Sequence, residues 1–301
     1  MCDNFDSIEQ KNKNMIDQKF KSIIHRATIL SWVLRSCVDE LKDKSIDEIK
    51  QGLDIGADGF SVKGSETEQF SDENGPVRMD NIFDVDFIGS DERLSVIVNI
   101  EAQNNASPGY PIGKRAEYYI SRLVSNQKGL YFKDSQYGDL RKTYSIWFMM
   151  DPHRENRKTI VRYRMRPEVI GNPKVVEELD TFNIIFINLG GEYNDNIPDE
   201  LLFMSTLFSN DLSENERRTI LSDKYKIPPN EYPKEELIGL GTLYEDTKNR
   251  YLREGKVQEK VDTAVFLITQ KGYSLDEALE IVRPEDYMTD DVVRMIKENL
   301  Q

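Results

Sequence analysis

The chain has 301 residues, 38% hydrophobic and 31% charged, and a net charge of −14. That length supports one large domain or two modest ones with a sizeable core, and the acidity argues against general affinity for polyanions. No apolar run approaches the roughly 20 residues of a membrane-spanning helix. The opening "MCDNFDSIEQKNKN" has no apolar signal region, and the two cysteines, Cys2 and Cys37, make neither a disulfide framework nor a zinc site. These features predict a reduced, cytoplasmic protein without a membrane partner.

Residues 1–20 are polar and predict a flexible arm. In "ATILSWVLRSCVDELKDK" (27–44), Ala27, Leu30, Leu34, Cys37 and Leu41 recur at helical spacing, which predicts an amphipathic helix. "SIDE" (45–48) is a capping box that opens a further helix, with Ser45 bonding the first turn and Glu48 reaching back. Residues 56–77, rich in Gly, Ser, Asp and Glu, read as loop.

Two strands follow, at about 80–88 and 94–103, joined by "GSDER" as a hairpin turn. Alternation in the second puts Leu94, Val96, Val98, Ile100 and Ala102 on one face. Ser95, Ile97, Asn99, Glu101 and Gln103 take the other. After the loop "NNASPGYPI", the helix "GKRAEYYISRLVSNQKG" buries Ala116, Ile120, Leu123 and Val124. The opposite face carries Arg115, Tyr118, Tyr119, Arg122 and Asn126. Strands are expected at 143–150, 158–165 and 182–190, with Trp147 in the core.

From about Asp199 the chain turns helical, with capping boxes at "SENE" (213–216) and "SLDE" (274–277). A long charged helix is expected after Leu243, interrupted near Gly255. The predicted fold is an α/β mixed sheet flanked by helices over 21–200, with a separate helical extension at 201–301.

Charge is unevenly spread. Tyr110–Ile170 holds 13 Lys/Arg against 6 Asp/Glu, a net of +7 inside an acidic chain. That pattern fits either a local phosphate-binding surface or a solvated basic strand pair. The histidines, His25 and His153, match no ligand or nucleophile spacing and read as structural.

The chemistry concentrates in the hairpin. Glu101 and Gln103 share one side of their strand, and Asp84 and Asp86 share a face of the partner strand, so carboxylates can converge across the pair. Such a cluster repels itself unless a cation sits within it. On the residues alone, a solvated sheet face is the stronger reading for Asp84 and Asp86.

The run "FDVDF…VNIEAQ…YPIGKRAEYYISRLVSNQKG…YSIWF" resembles the transposase-type PD-(D/E)-x-K nucleases, the recombination-promoting nuclease group, over about residues 25–190. The resemblance implies a restriction-endonuclease-like core and an endonuclease that cuts DNA with Mg²⁺ or Mn²⁺. Asp84 takes the family's Asp position and Glu101 its Glu position, as metal ligands. Gln103 stands where the wider superfamily has Lys, and Gln is usual in this group. The resemblance also implies an acid from the first helix, for which Glu40 is the candidate.

An amide supplies no charge, so Lys114 or Arg115 is expected to provide the missing cation, and Lys114, Arg115 and Arg122 to grip DNA phosphates. The sequence leaves homo-oligomerisation open. Two rivals stand beside this reading. One is a nuclease-fold module without cleavage that binds DNA or a protein partner. The other is an interaction protein acting through its acidic helical tail.

Overall fold

The structure, a computed structural model, describes residues 17–64, 71–72, 75–76, 79, 81–88, 93–103, 108–209, 211–231, 240–284 and 289–300. The chain divides into two compact units, Met1–Gly241 and Thr242–Gln301.

In the first unit, residues 17–24 are helical and lead into α1 (Ala27–Cys37) and α2 (Ile46–Gln51). A two-residue pair, β1 (Ser71–Asp72) and β2 (Gly75–Pro76), precedes the main sheet. Its strands are β3 (Ile82–Ile88), β4 (Arg93–Gln103), β5 (Lys142–Met149), β6 (Thr159–Arg164) and β7 (Phe182–Asn188), in spatial order β3-β4-β5-β7-β6. β3 and β4 form the expected antiparallel hairpin, β4, β5 and β7 run parallel, and β6 closes one edge antiparallel to β7. The parallel step from β4 to β5 needs a crossover, which α3 (Ile112–Asn126) supplies.

Each sheet face has its own cover. α3 lays Ala116 and Ile120 against Trp147 and Met149 on one face. On the other, Phe20 meets Phe148 edge-on at 5.3 Å, and Phe208 at the end of α4 (Asp199–Phe208) meets the same ring at 5.5 Å. α4 therefore belongs to the sheet unit, as does α5 (Glu214–Asp223), which corrects the expected boundary at 200/201. The tie is aromatic: Trp32 of α1 packs on Phe203 and Tyr225, with centroids 5.5 and 5.1 Å away. Residues 17–20, expected in the N-terminal arm, are helical with Phe20 1% exposed, and the rest of that stretch lies outside the described residues.

All three capping boxes form, with both reciprocal bonds present at Ser45/Glu48, Ser213/Glu216 and Ser274/Glu277. α1 ends four residues before its apolar pattern does. Val38 turns extended, and the Arg162 guanidinium from β6 donates to the Cys37 and Ser36 carbonyls at 2.8 and 2.5 Å. Those carbonyls are orphaned at a helix end, and a partly buried cation satisfies them without another turn. Leu41 then reaches the core from a 3-10 turn, Asp39–Leu41.

In the second unit, α6 (Leu240–Lys271), α7 (Leu275–Val282) and α8 (Thr289–Asn299) share a small core of Val257, Val261, Ala264, Ala278, Val282, Val292 and Ile296. α6 runs unbroken through Gly255, where an interruption was expected. A mid-helix glycine costs only about 1 kcal/mol, which a 32-residue helix absorbs.

Candidate functional site

Register decides which of the expected residues meet. Asp84 lies opposite Ile97 and Asp86 opposite Ser95, while Glu101 lies beside Trp147 of β5. Asp84, Asp86, Glu101 and Gln103 do share the α3 face of the sheet. Glu101 is nonetheless four residues beyond Asp84's partner, an offset of about 13 Å along the strand at roughly 3.3 Å per residue. The expected convergence of Asp84 with Glu101 across the hairpin therefore does not occur. Alternation put both on one face, but facing residues are set by pairing, which alternation leaves open.

Glu101 and Gln103 are 1% and 8% exposed at the C-terminal end of β4, where β5 runs parallel beside them. Ligands of open α/β sheets bind outside the carboxyl ends of parallel strands. Arg115 of α3 reaches both residues: its Nη2 is 3.8 Å from the Glu101 carboxylate and its Nη1 donates to Gln103 Oε1 at 3.4 Å. The guanidinium also donates to the Tyr119 and Tyr110 hydroxyls at 2.9 and 3.1 Å and lies over the Trp147 ring at 5.2 Å. Burial opposes its charge, but Tyr119 and Glu101 outweigh that and hold the cation above its usual range.

Arg115 and Tyr119 thus turn toward the sheet rather than to the solvent face expected for them. They flank Ala116 and Ile120 on the helical wheel, at the margin of the buried stripe. Arg122, two turns beyond Arg115, is partly buried, its guanidinium 5.9 Å from the Tyr118 ring. Lys114 pairs with Glu117 at 2.7 Å, both well exposed, and is not brought to Glu101.

The hairpin aspartates form a second group. Tyr131 donates to Asp84 at 2.6 Å, Arg141 lies 3.6 Å from Asp84 and 3.8 Å from Asp86, and Ser95 donates to Asp86. Arg141 stacks over Tyr131 at 3.9 Å. Burial and the Asp84 charge together push the Tyr131 hydroxyl pKa upward, so it remains a donor.

Glu40 belongs to a third group on the opposite face. It accepts from Lys142 and Tyr144, both at 2.6 Å, and Lys142 also pairs with Asp180 at 2.5 Å. Tyr144 is aligned with Val98, on the face away from Glu101. The expected assistance of Glu40 at the Glu101 site is corrected on that geometry: ending α1 at Cys37 turned Glu40 toward Lys142.

Much of the basic centre is used internally. Arg115, Arg141, Lys142 and Arg164 pair with Glu101, Asp84 and Asp86, Glu40, and Asp39, all acids from outside that stretch. Sequence reasoning missed these partners because each lies on another element. It did place Asn99 on the Glu101 face without assigning it a role. Asn99 is fully buried, and neither its amide nitrogen nor its amide oxygen has a hydrogen-bond partner.

Burial pushes the Cys37 thiol up to about 12, so Cys37 is not a thiolate at neutral pH. His25 bonds the Val62 carbonyl at 2.8 Å and Asn81 at 3.0 Å, a structural role as expected.

Among the described residues, no group of three or more His, Cys, Asp or Glu side chains is arranged to hold a metal ion. The donors at the end of β4 still suit a hard cation in type: a carboxylate and two amide oxygens, one of them orphaned. Mg²⁺ is usually bound by only one or two carboxylates and keeps several waters. No protein-family profile, curated protein or solved structure matches the chain.

Proposed function

We propose that the chain is a metal-dependent DNA endonuclease of the recombination-promoting, transposase-associated type, built on a restriction-endonuclease-like variant of its mixed sheet. One observation carries this reading. A nearly fully buried carboxylate, Glu101, sits with an amide and a cation at the carboxyl end of a parallel strand pair. Burying an acid there has a cost that a resident cation offsets.

Glu101 would hold Mg²⁺ or Mn²⁺ with Gln103 beside it, and Arg115 would face the charge that builds on the attacked phosphate. A divalent cation so held supplies a Lewis acid and lowers the pKa of a bound water. Arg122 and Lys114 of α3 would contact DNA phosphates, the sequence-independent part of affinity. Asp84 and Asp86 would instead brace the hairpin through Arg141.

The test is cleavage of supercoiled plasmid by purified protein with Mg²⁺ or Mn²⁺. Nicking by the wild type and its loss in a folded Glu101→Gln variant is the expected result. Unchanged nicking by that variant would end the proposal.

A second reading, a DNA-binding module without cleavage, is favoured by the dispersal of Asp84, Glu40 and Glu101 over three groups. Salt-dependent DNA binding with no nicking in either metal selects it.

A further inference from the structure

Asn99 is 0% exposed, yet both polar atoms of its carboxamide lack a partner. Native proteins satisfy nearly all buried polar groups, and an exception calls for a water, an ion or a function. Asn99 is paired with Ile82 on one side and with Ser145 on the other, where Ser145 Oγ already accepts from Trp147 Nε1 at 2.9 Å. The next residue on the same face is Glu101.

We infer that Asn99 is a ligand-facing residue of the Glu101 site, whose carboxamide supplies a neutral oxygen donor to the shell of a divalent cation. This rests on the metal reading above. Asn99 lies two residues before Glu101 on the same face, so one strand presents an amide and a carboxylate side by side. Arg115 approaches Glu101 and Gln103, whereas Asn99 is left for a ligand. A hard cation that keeps part of its water suits both ends of the amide: the oxygen can coordinate, and the NH₂ can donate to a cation-bound water. A neutral donor also avoids a second buried negative charge beside Glu101.

The experiment is titration of the full chain with Mn²⁺ by calorimetry, alongside thermal melts without metal. Asn99→Leu keeps the volume and removes both orphaned atoms, so the metal-free midpoint should hold or rise. Its Mn²⁺ affinity should fall at least tenfold. Asn99→Asp adds charge next to Glu101, which should lower the metal-free midpoint and let saturating Mn²⁺ restore it. Wild-type Mn²⁺ affinity in Asn99→Leu would overturn the role of Asn99 while leaving the Glu101 site standing. Should Asn99→Leu fail to fold, absence of Mn²⁺ rescue in Asn99→Asp overturns it equally. No Mn²⁺ binding by the wild type would overturn the metal reading and this inference together.

Discussion

Arg115 holds its guanidinium 3.8 Å from the buried Glu101 carboxylate and donates to Gln103 from the same fork. The helix that crosses from β4 to β5 thereby returns a permanent cation to the strand end it has just left. The chain thus pairs the Gln103 amide with an arginine from the next element. Preorganised cations aimed at a developing negative charge supply several kcal/mol to a transition state.

Arg115→Ala should therefore slow single-turnover cleavage at saturating DNA by more than roughly tenfold, about 1.4 kcal/mol. Lys114→Ala should leave that rate intact, since Lys114 points to Glu117. Arg122→Ala should weaken DNA binding and reduce its salt slope by about one phosphate contact. Equal saturated rates in all three variants would show that Gln103 works without a cation.

Asp84 tests how the hairpin is used. Its partners are Tyr131 and Arg141, and its side chain is 36% exposed, so solvent screens the pair. Asp84→Asn should cost about 1 kcal/mol of stability, measured by urea unfolding, and leave Mn²⁺ affinity within about twofold.

These residues show what the sequence could tell. Local chemistry was legible: the three Ser-x-x-Glu boxes, the alternating hairpin, and a following helix that brings a cation back to Glu101. Relations set by other elements were not. The end of α1 depends on Arg162 from β6, more than a hundred residues away, and Glu40 is claimed by Lys142 from β5. Hairpin register left its trace only in facing side chains, so a shared face was legible but a shared metal was not.

The Glu40–Lys142–Tyr144 group predicts a pH signature. Burial alone would raise the Glu40 carboxyl, but hydrogen bonds from Lys142 and Tyr144 outweigh it and hold it below its ordinary value of 4.5. The unfolded chain then binds more protons below pH 4.5, so stability rises with pH through that window. The contribution is fully present above 4.5 and lost as pH falls through the lower folded value. Glu40→Gln should unfold more easily than wild type at pH 7 and lose less of its remaining stability between pH 5 and 3. Parallel acid-unfolding curves for the two proteins would remove Glu40 from this account. Cleavage at pH 7 should survive the substitution, since Glu40 lies across the sheet from Glu101.

The division of the chain can be tested by truncation. A cut after 200 removes Phe203 and Leu207 of α4, 0% and 2% exposed, together with Tyr225 and the buried Glu231. Glu231 accepts from the Thr28 amide at the start of α1 and pairs with Lys50 at 3.4 Å, so its loss also uncaps that helix. Trp32 would lose two aromatic neighbours and open apolar surface to water, at roughly 25 cal/mol per Å². A fragment ending at 200 should therefore aggregate or melt without a cooperative transition. A fragment ending at Gly241 keeps the whole first unit, so it should be soluble, unfold cooperatively and retain the Mn²⁺ affinity of the full chain. Calorimetric melts of both fragments decide it. Cooperative melting by 1–200 would restore the earlier boundary, and loss of Mn²⁺ affinity in 1–241 would bring the second unit into the site.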